Sequence, residues 1–97
     1  IPAALRGLCA DKKKAPDALI ALGALVRGET PHFDHLASTV TRALENIAET
    51  ASRPVSNGVL TCDTMDQALD RAGGKTGNKG FEAAMTAIEM GNLMREL

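Results

Sequence analysis

ALIALGALV, residues 18–26, is a run of nine residues without a charge or a strong hydrogen-bonding side chain. It is far too short to cross a membrane. Its length and continuous apolarity fit a strand buried on both faces, as in a parallel sheet. The strand ends in Arg27-Gly28-Glu29-Thr30-Pro31. Thr30 followed by Pro31 predicts a helix start, with Thr as N-cap and Pro in the first turn. Leu36, Val40, Leu44 and Ile47 then recur at helical spacing to about Ala51. Beyond Arg53-Pro54 a second strand is expected over Val55 to Thr61, bounded by Cys62-Asp63. Strands that alternate with helices predict a parallel α/β layer fold.

The flanks fill in the remaining elements. Ile1 to about Ala15 reads as a helix with Pro2 in its first turn and Leu5, Leu8 and Cys9 as its apolar stripe. Ala15-Pro16-Asp17 breaks it. Asp11-Lys12-Lys13-Lys14 reads as a solvated helix end, with an anion patch as the other reading. Thr64 to Ala72 is a short helix whose Thr64-x-x-Gln67 forms a capping box, stopped by Gly73-Gly74. Lys75 to Gly80, KTGNKG, is a basic glycine-rich loop. Phe81 to about Glu96 is the last helix, with Phe81, Met85, Ile88 and Met94 as its buried candidates. Two strands are too few to cover four helices, so the remaining cover is expected from upstream strands or from an oligomer. The chain opens on Ile1-Pro2 with an amphipathic pattern already under way, and further residues are expected upstream of it.

Composition narrows the function classes. The 97 residues are 44 % hydrophobic and 24 % charged, which fits one globular domain over residues 1–97 and argues against disorder. A formal net charge of −1 argues against a general nucleic-acid binder. Two Phe and no Trp or Tyr leave little for bases to stack on. No stretch reads as a membrane span or a signal peptide. Cys9 and Cys62 stand far apart and cannot form a disulfide framework, so two small thiols in a reducing compartment are expected.

Chemistry is expected beyond the carboxyl ends of the strands, where parallel sheets bind ligands. Arg27–Asp34 is the more loaded of the two ends. Gly28 permits close backbone approach, and free N–H groups after Thr30 form an anion site. His32 lies in that first turn, and imidazole is the side chain suited to accept and return a proton. A plain surface histidine beside a plain cap is the other reading. His32 and His35 could pair on a metal, but a third ligand is missing, and no metal site is expected. Gly74-Lys75-Thr76 is not a phosphate loop, because Leu69 occupies the position that needs glycine and a helix precedes it. A loop that helps hold one phosphate remains open beside a simple connector, and Arg71 near the helix end could reach an anion.

LGALVRGETPHFD (22–34), NGVLTCDTMDQALDRAGGKTGNKG (57–80) and EAAMTAIEM (82–90) closely resemble the 6,7-dimethyl-8-ribityllumazine synthase family, also known as the riboflavin synthase beta-chain family. The likeness covers essentially the whole chain and falls in the motifs RGxTxHxD and RAGxKxGNKG. It implies a flavodoxin-like three-layer fold with a four-stranded parallel sheet, of which this chain holds the last two strands and their helices. Roughly fifty to sixty residues, a strand–helix–strand, precede the equivalent of Ile1 in the family, and part of the pocket comes from them. The implied activity condenses 5-amino-6-(D-ribitylamino)uracil with 3,4-dihydroxy-2-butanone 4-phosphate to 6,7-dimethyl-8-ribityllumazine, releasing phosphate and water in riboflavin biosynthesis. No cofactor or metal is implied. The implied partners are the two small-molecule substrates, inorganic phosphate and further copies of the chain, in pentamers, decamers or sixty-subunit capsids. Nucleic acid and membrane are not among them. The compartment is expected to be the cytoplasm, or the plastid in a plant.

Position by position, the resemblance makes His32 the proton-transfer residue. It makes Ala24, Leu25 and Val26 the lining of the pyrimidine pocket. Gly28, Glu29, Thr30 and Arg71 would hold the phosphate, Arg71 across a subunit interface, with Lys79 close by as a substrate contact. Asn57 occupies a position offered to the neighbouring subunit's pocket, where the family often has Phe, so stacking on the pyrimidine is lost there. The alternative reading is a non-catalytic assembly or ligand-binding subunit that keeps the family's oligomer interface.

Overall fold

The computed structural model describes residues 1–28 and 32–97. The elements run α1 (Pro2–Cys9), β1 (Leu19–Val26), α2 (His32–Ala51), β2 (Val55–Cys62), α3 (Met65–Arg71), β3 (Ala72–Gly74), β4 (Gly77–Asn78) and α4 (Lys79–Glu96). β1 and β2 pair in parallel without a slip, from Leu19 opposite Val55 to Val26 opposite Cys62. The layered parallel α/β architecture expected from the sequence is present.

Because side chains alternate along a strand, the pair has two distinct faces. Leu19, Ala21 and Val59 point to one face and are buried with Leu5 of α1 and Leu44 and Ile47 of α2, with Val40, Val55 and Leu25 packed against them. Leu60 and Cys62 point to the other face and pack with Ala68 of α3 and Val26. On that same face the buried Ser56 hydroxyl donates to the Ala83 carbonyl of α4 at 2.7 Å. Helices thus cover both sides of the strands, making three layers.

α4 reverses its expected burial. Phe81, Met85, Ile88 and Met94 are all exposed, whereas Ala83, Ala87 and Gly91 are the buried positions. The reason is the distance at which the helix sits. A Cβ added at Gly58 of β2 would lie 3.2 Å from Ala83 Cβ, 2.9 Å from the Ala21 carbonyl oxygen and 2.7 Å from a Leu22 methyl. Only small residues fit between backbones that close, so the bulky stripe faces away.

β1 also departs from the expectation of burial on both faces. Leu19 and Ala21 are buried, but Ile20 and Leu22 are not, Leu22 being 60 % exposed. α4 leans over β2, so β1 is incompletely roofed on that side. α1 is shorter than expected, ending at Cys9, with a separate turn at 12–14 in which Asp11 accepts from the Lys13 N–H. Leu5 is buried, Cys9 half-buried and Leu8 exposed. α2 buries Leu44 and Ile47 of its stripe and leaves Leu36 exposed. Ser52 follows α2 in the left-handed region, φ 53°, which closes the helix end.

The α3 cap is half as expected. Thr64 Oγ accepts from the Gln67 N–H at 3.1 Å, but Gln67 Oε1 reaches one residue further, to the Asp63 N–H at 2.9 Å. The expected KTGNKG loop is a small antiparallel hairpin, with Ala72 opposite Asn78 and Gly74 opposite Gly77. Gly73 (φ 114°) and Gly77 (φ 126°) supply the backbone conformations this turn requires. Asn78 then caps α4 by accepting from the Phe81 N–H. Among the described residues no helix is long and apolar enough to cross a membrane, and both cysteines are free thiols.

Candidate functional site

The carboxyl ends of β1 and β2 lie side by side because their registers match, and the Arg27 N–H extends the pairing by donating to the Cys62 carbonyl at 2.8 Å. This brings Arg27 beside Asp63, thirty-six residues away in sequence. Arg27 Nε donates to Asp63 Oδ1 at 2.8 Å and its terminal nitrogen to Asp34 Oδ1 at 3.0 Å. Its guanidinium also stacks over the Phe33 ring, 4.6 Å from the centroid. One side chain therefore ties the end of β1 to the first turn of α2 and to the residue following β2. The hydrogen bond to Asp63, then that to Asp34, raises the Arg27 pKa above its ordinary value, so its guanidinium stays charged. All three partners are exposed, and the value of the clamp lies in geometry more than in stability.

The sequence reading singled out Arg27 only as part of a polar segment. Asp34 seven residues on was a visible partner, but Asp63 becomes one only through the parallel register.

His32 is the first residue of α2 and is exposed, placed beyond the carboxyl end of β1. Glu29 and Thr30, expected to hold phosphate, and Pro31, expected in the first helical turn, lie outside the described residues. Ala24 is exposed on β1 and available to a ligand, whereas Leu25 and Val26 use their side chains in the two cores. Gly28 is exposed, and a Cβ there would meet nothing within 4 Å. Among the described residues no three His, Cys, Asp or Glu side chains gather as a metal site.

A second cluster forms at the end of β2. Arg71, the last residue of α3, approaches Cys62 Sγ at 3.7 Å. Arg71 and Lys79 line one cavity of about 200 Å³ with Thr76, Asn78 and Glu82, between the hairpin and Leu60. Two cations and one carboxylate, with a hydroxyl and an amide, suit a phosphate or another small anion. His32 and Ala24 do not line this cavity. Within one chain the structure thus joins Arg71 to Lys79 and groups His32 with the Arg27 clamp, as two separate clusters. Asn57 is exposed on β2, and its Oδ1 already accepts from the Val59 N–H at 2.9 Å, leaving its amide N–H₂ for a partner.

The chain matches the family profile described as 6,7-dimethyl-8-ribityllumazine synthase over residues 1–95. It is 52 % identical over 86 residues to the 6,7-dimethyl-8-ribityllumazine synthase of Aquifex aeolicus, covering 89 % of this chain and 56 % of that protein. The protein of the same name from Campylobacter lari is 48 % identical over 97 residues, 100 % of this chain and 61 % of its own length. That from Kosmotoga olearia is 56 % identical over 85 residues, 88 % of this chain and 54 % of its own. The chain therefore spans little more than half the length of these relatives. With both clusters carried by the segments that resemble the family, and the match running from the first residue nearly to the last, the chain belongs to the 6,7-dimethyl-8-ribityllumazine synthase family.

Proposed function

We propose that the protein to which this chain belongs condenses 5-amino-6-(D-ribitylamino)uracil with 3,4-dihydroxy-2-butanone 4-phosphate to give 6,7-dimethyl-8-ribityllumazine. The observation that carries this reading is the pairing of Arg71 with Lys79 in one cavity at the carboxyl end of the sheet. That is a phosphate-sized anion site in a chain whose relatives bear this enzyme's name.

The pyrimidine amine attacks the ketone, and the resulting carbinolamine expels water to form an imine. Loss of the C3 proton together with the phosphate leaves an enol, which tautomerises to a new carbonyl, and the ribitylamino nitrogen attacks that carbonyl with expulsion of a second water. Each step needs a proton moved and none needs an oxidant. His32 is the residue we assign to that proton traffic, a contribution of roughly 10² to 10⁴ in rate. Arg71 and Lys79 hold the phosphate and stabilise it as it leaves, and Gly28, Glu29 and Thr30 are assigned to the same phosphate. Ala24, Leu25 and Val26 border the pyrimidine, chiefly through backbone atoms for the latter two. Asn57 offers its amide N–H₂ to the neighbouring subunit's pocket.

Because His32 and Arg71 fall in separate clusters, a site shared between copies joins them more readily than one chain can. The outward stripe of Phe81, Met85 and Ile88 supports such an assembly, in pentamers or multiples of them. The test is formation of the lumazine from the two substrates, followed by absorbance. His32→Ala should lower kcat by about a hundredfold or more while leaving the assembly intact. His32→Ala and Arg71→Ala proteins, refolded together, should regain part of the lost activity. Wild-type protein that assembles and turns over nothing would leave the alternative, a non-catalytic assembly subunit.

A further inference from the structure

One recess formed by the described residues lies away from the carboxyl ends of the strands. It lies at their amino ends, between the end of α1 and the end of α2, with a volume of about 460 Å³. An eight-residue strand rising about 3.3 Å per residue puts roughly 25 Å between it and the site proposed above. Three cations from three segments border it: Arg6 of α1, Lys12 of the following turn and Arg53 just before β2. No carboxylate does. Among the described residues none of the three makes an ion pair. Asp11, next to Lys12 in sequence, already accepts from the Lys13 N–H of its own turn.

Arg53 supplies the second observation. Among the described residues its buried Nε has no hydrogen-bond partner, and the side chain's one hydrogen bond is a long 3.5 Å contact from a terminal nitrogen to the Ser52 carbonyl. A buried guanidinium N–H without an acceptor costs free energy until an acceptor reaches it. The negative end of the α2 dipole points the same way as the recess, but half a charge does not balance three cations. The remaining walls are mixed: Asn46 and Thr50 offer an amide and a hydroxyl, while Ala15, Ile47 and Cys9 are apolar.

We propose that this recess is a second ligand site, which takes a small organic dianion of the phosphate-monoester kind. The doubly charged head sits among Arg6, Lys12 and Arg53, and the organic body lies against Ile47 and Cys9. Nothing in the catalytic proposal uses these residues, so the site is separate from the one that holds the substrate phosphate.

Cys9 provides the readout, as a half-buried thiol on the wall of the recess. In the assembled protein, phenyl phosphate should slow alkylation of Cys9 saturably, against chloride at equal ionic strength, as read by peptide mass spectrometry. Benzoate, with the same ring and one charge, should protect more weakly. Arg53→Gln and Arg6→Gln should each raise the phenyl phosphate concentration needed for protection by about tenfold or more, the scale of one lost charge-assisted hydrogen bond. Arg6 is exposed on α1, so its variant remains informative if Arg53→Gln disturbs folding. Arg71→Ala should leave the protection unchanged. Absence of protection, protection indifferent to both Arg6 and Arg53, equal protection by benzoate, or loss of protection in Arg71→Ala would each overturn the proposal.

Discussion

Helices α2 and α4 lie on opposite faces of the same two strands and bury opposite kinds of residue. α2 places Leu44 and Ile47 against Leu19, Ala21 and Val59, in the ordinary arrangement of an amphipathic helix on a sheet. α4 buries Ala83, Ala87 and Gly91 and turns Phe81, Met85 and Ile88 outward. Both helices carry an apolar stripe in the sequence. The difference between them is made by the strands: Gly58 and Ser56 let α4 approach closely, and a close approach admits only small residues. The α2 side is a core completed within the chain. The α4 side has a thin inner seam and a second, outer apolar surface of the kind that proteins use for contacts with other chains.

Changes to the inner residues separate the two sides most sharply. Leu44→Ala should cost about 2–5 kcal/mol of stability, measured by urea unfolding, because it leaves a cavity in the completed core. If instead it proved neutral, α2 would not be the principal packing element. Gly58→Ala should cost about 1–3 kcal/mol, since the new Cβ meets the Ala21 carbonyl and Ala83 at distances that need backbone movement. A neutral Gly58→Ala would show that α4 sits further from the sheet than described. Ser56→Ala removes one buried hydrogen bond that pins α4 and should cost about 0.5–1.5 kcal/mol.

Ile88→Ser should change the stability of the subunit fold least, by less than about 0.5 kcal/mol. Its effect should appear instead as a shift toward smaller assemblies in sedimentation. A large loss of subunit stability with unchanged assembly would reverse the roles assigned to the two faces of α4. At the carboxyl end, Arg27→Lys keeps the charge but loses the fork that reaches Asp63 and Asp34 together. Stability should move by less than about 1 kcal/mol, as for exposed pairs. The rate of the proposed lumazine formation should fall by more than that small stability change accounts for, because the clamp holds the first turn of α2, where His32 sits. Unchanged kcat and KM in Arg27→Lys would reduce the clamp to a surface ion pair.

The order of the four helices and the two parallel strands, the parallel layer fold and the position of His32 at a strand's carboxyl end were legible in the sequence, whereas the β3–β4 hairpin was not. These depend on local signals: an uncharged run of strand length, a helical repeat of apolar residues and capping residues at Thr64. Arg71 as a phosphate contact and Lys79 as a substrate contact close by were expected through the family motif, and the hairpin between them brings both to one cavity. What the chain's own pattern could not reveal is anything decided between elements. An apolar stripe says that one face of α4 wants cover, but which face meets the sheet depends on how near the helix can come, and that is set by Gly58 on another element. Arg27 and Asp63 likewise become partners only when two strands align in one register. The cations Arg6, Lys12 and Arg53 are scattered over almost fifty residues and become a group only when α1, α2 and the amino ends of the strands close around one recess. Periodicity is a property of one segment, whereas approach distance, register and shared cavities belong to pairs of segments, and so the tertiary structure decides them.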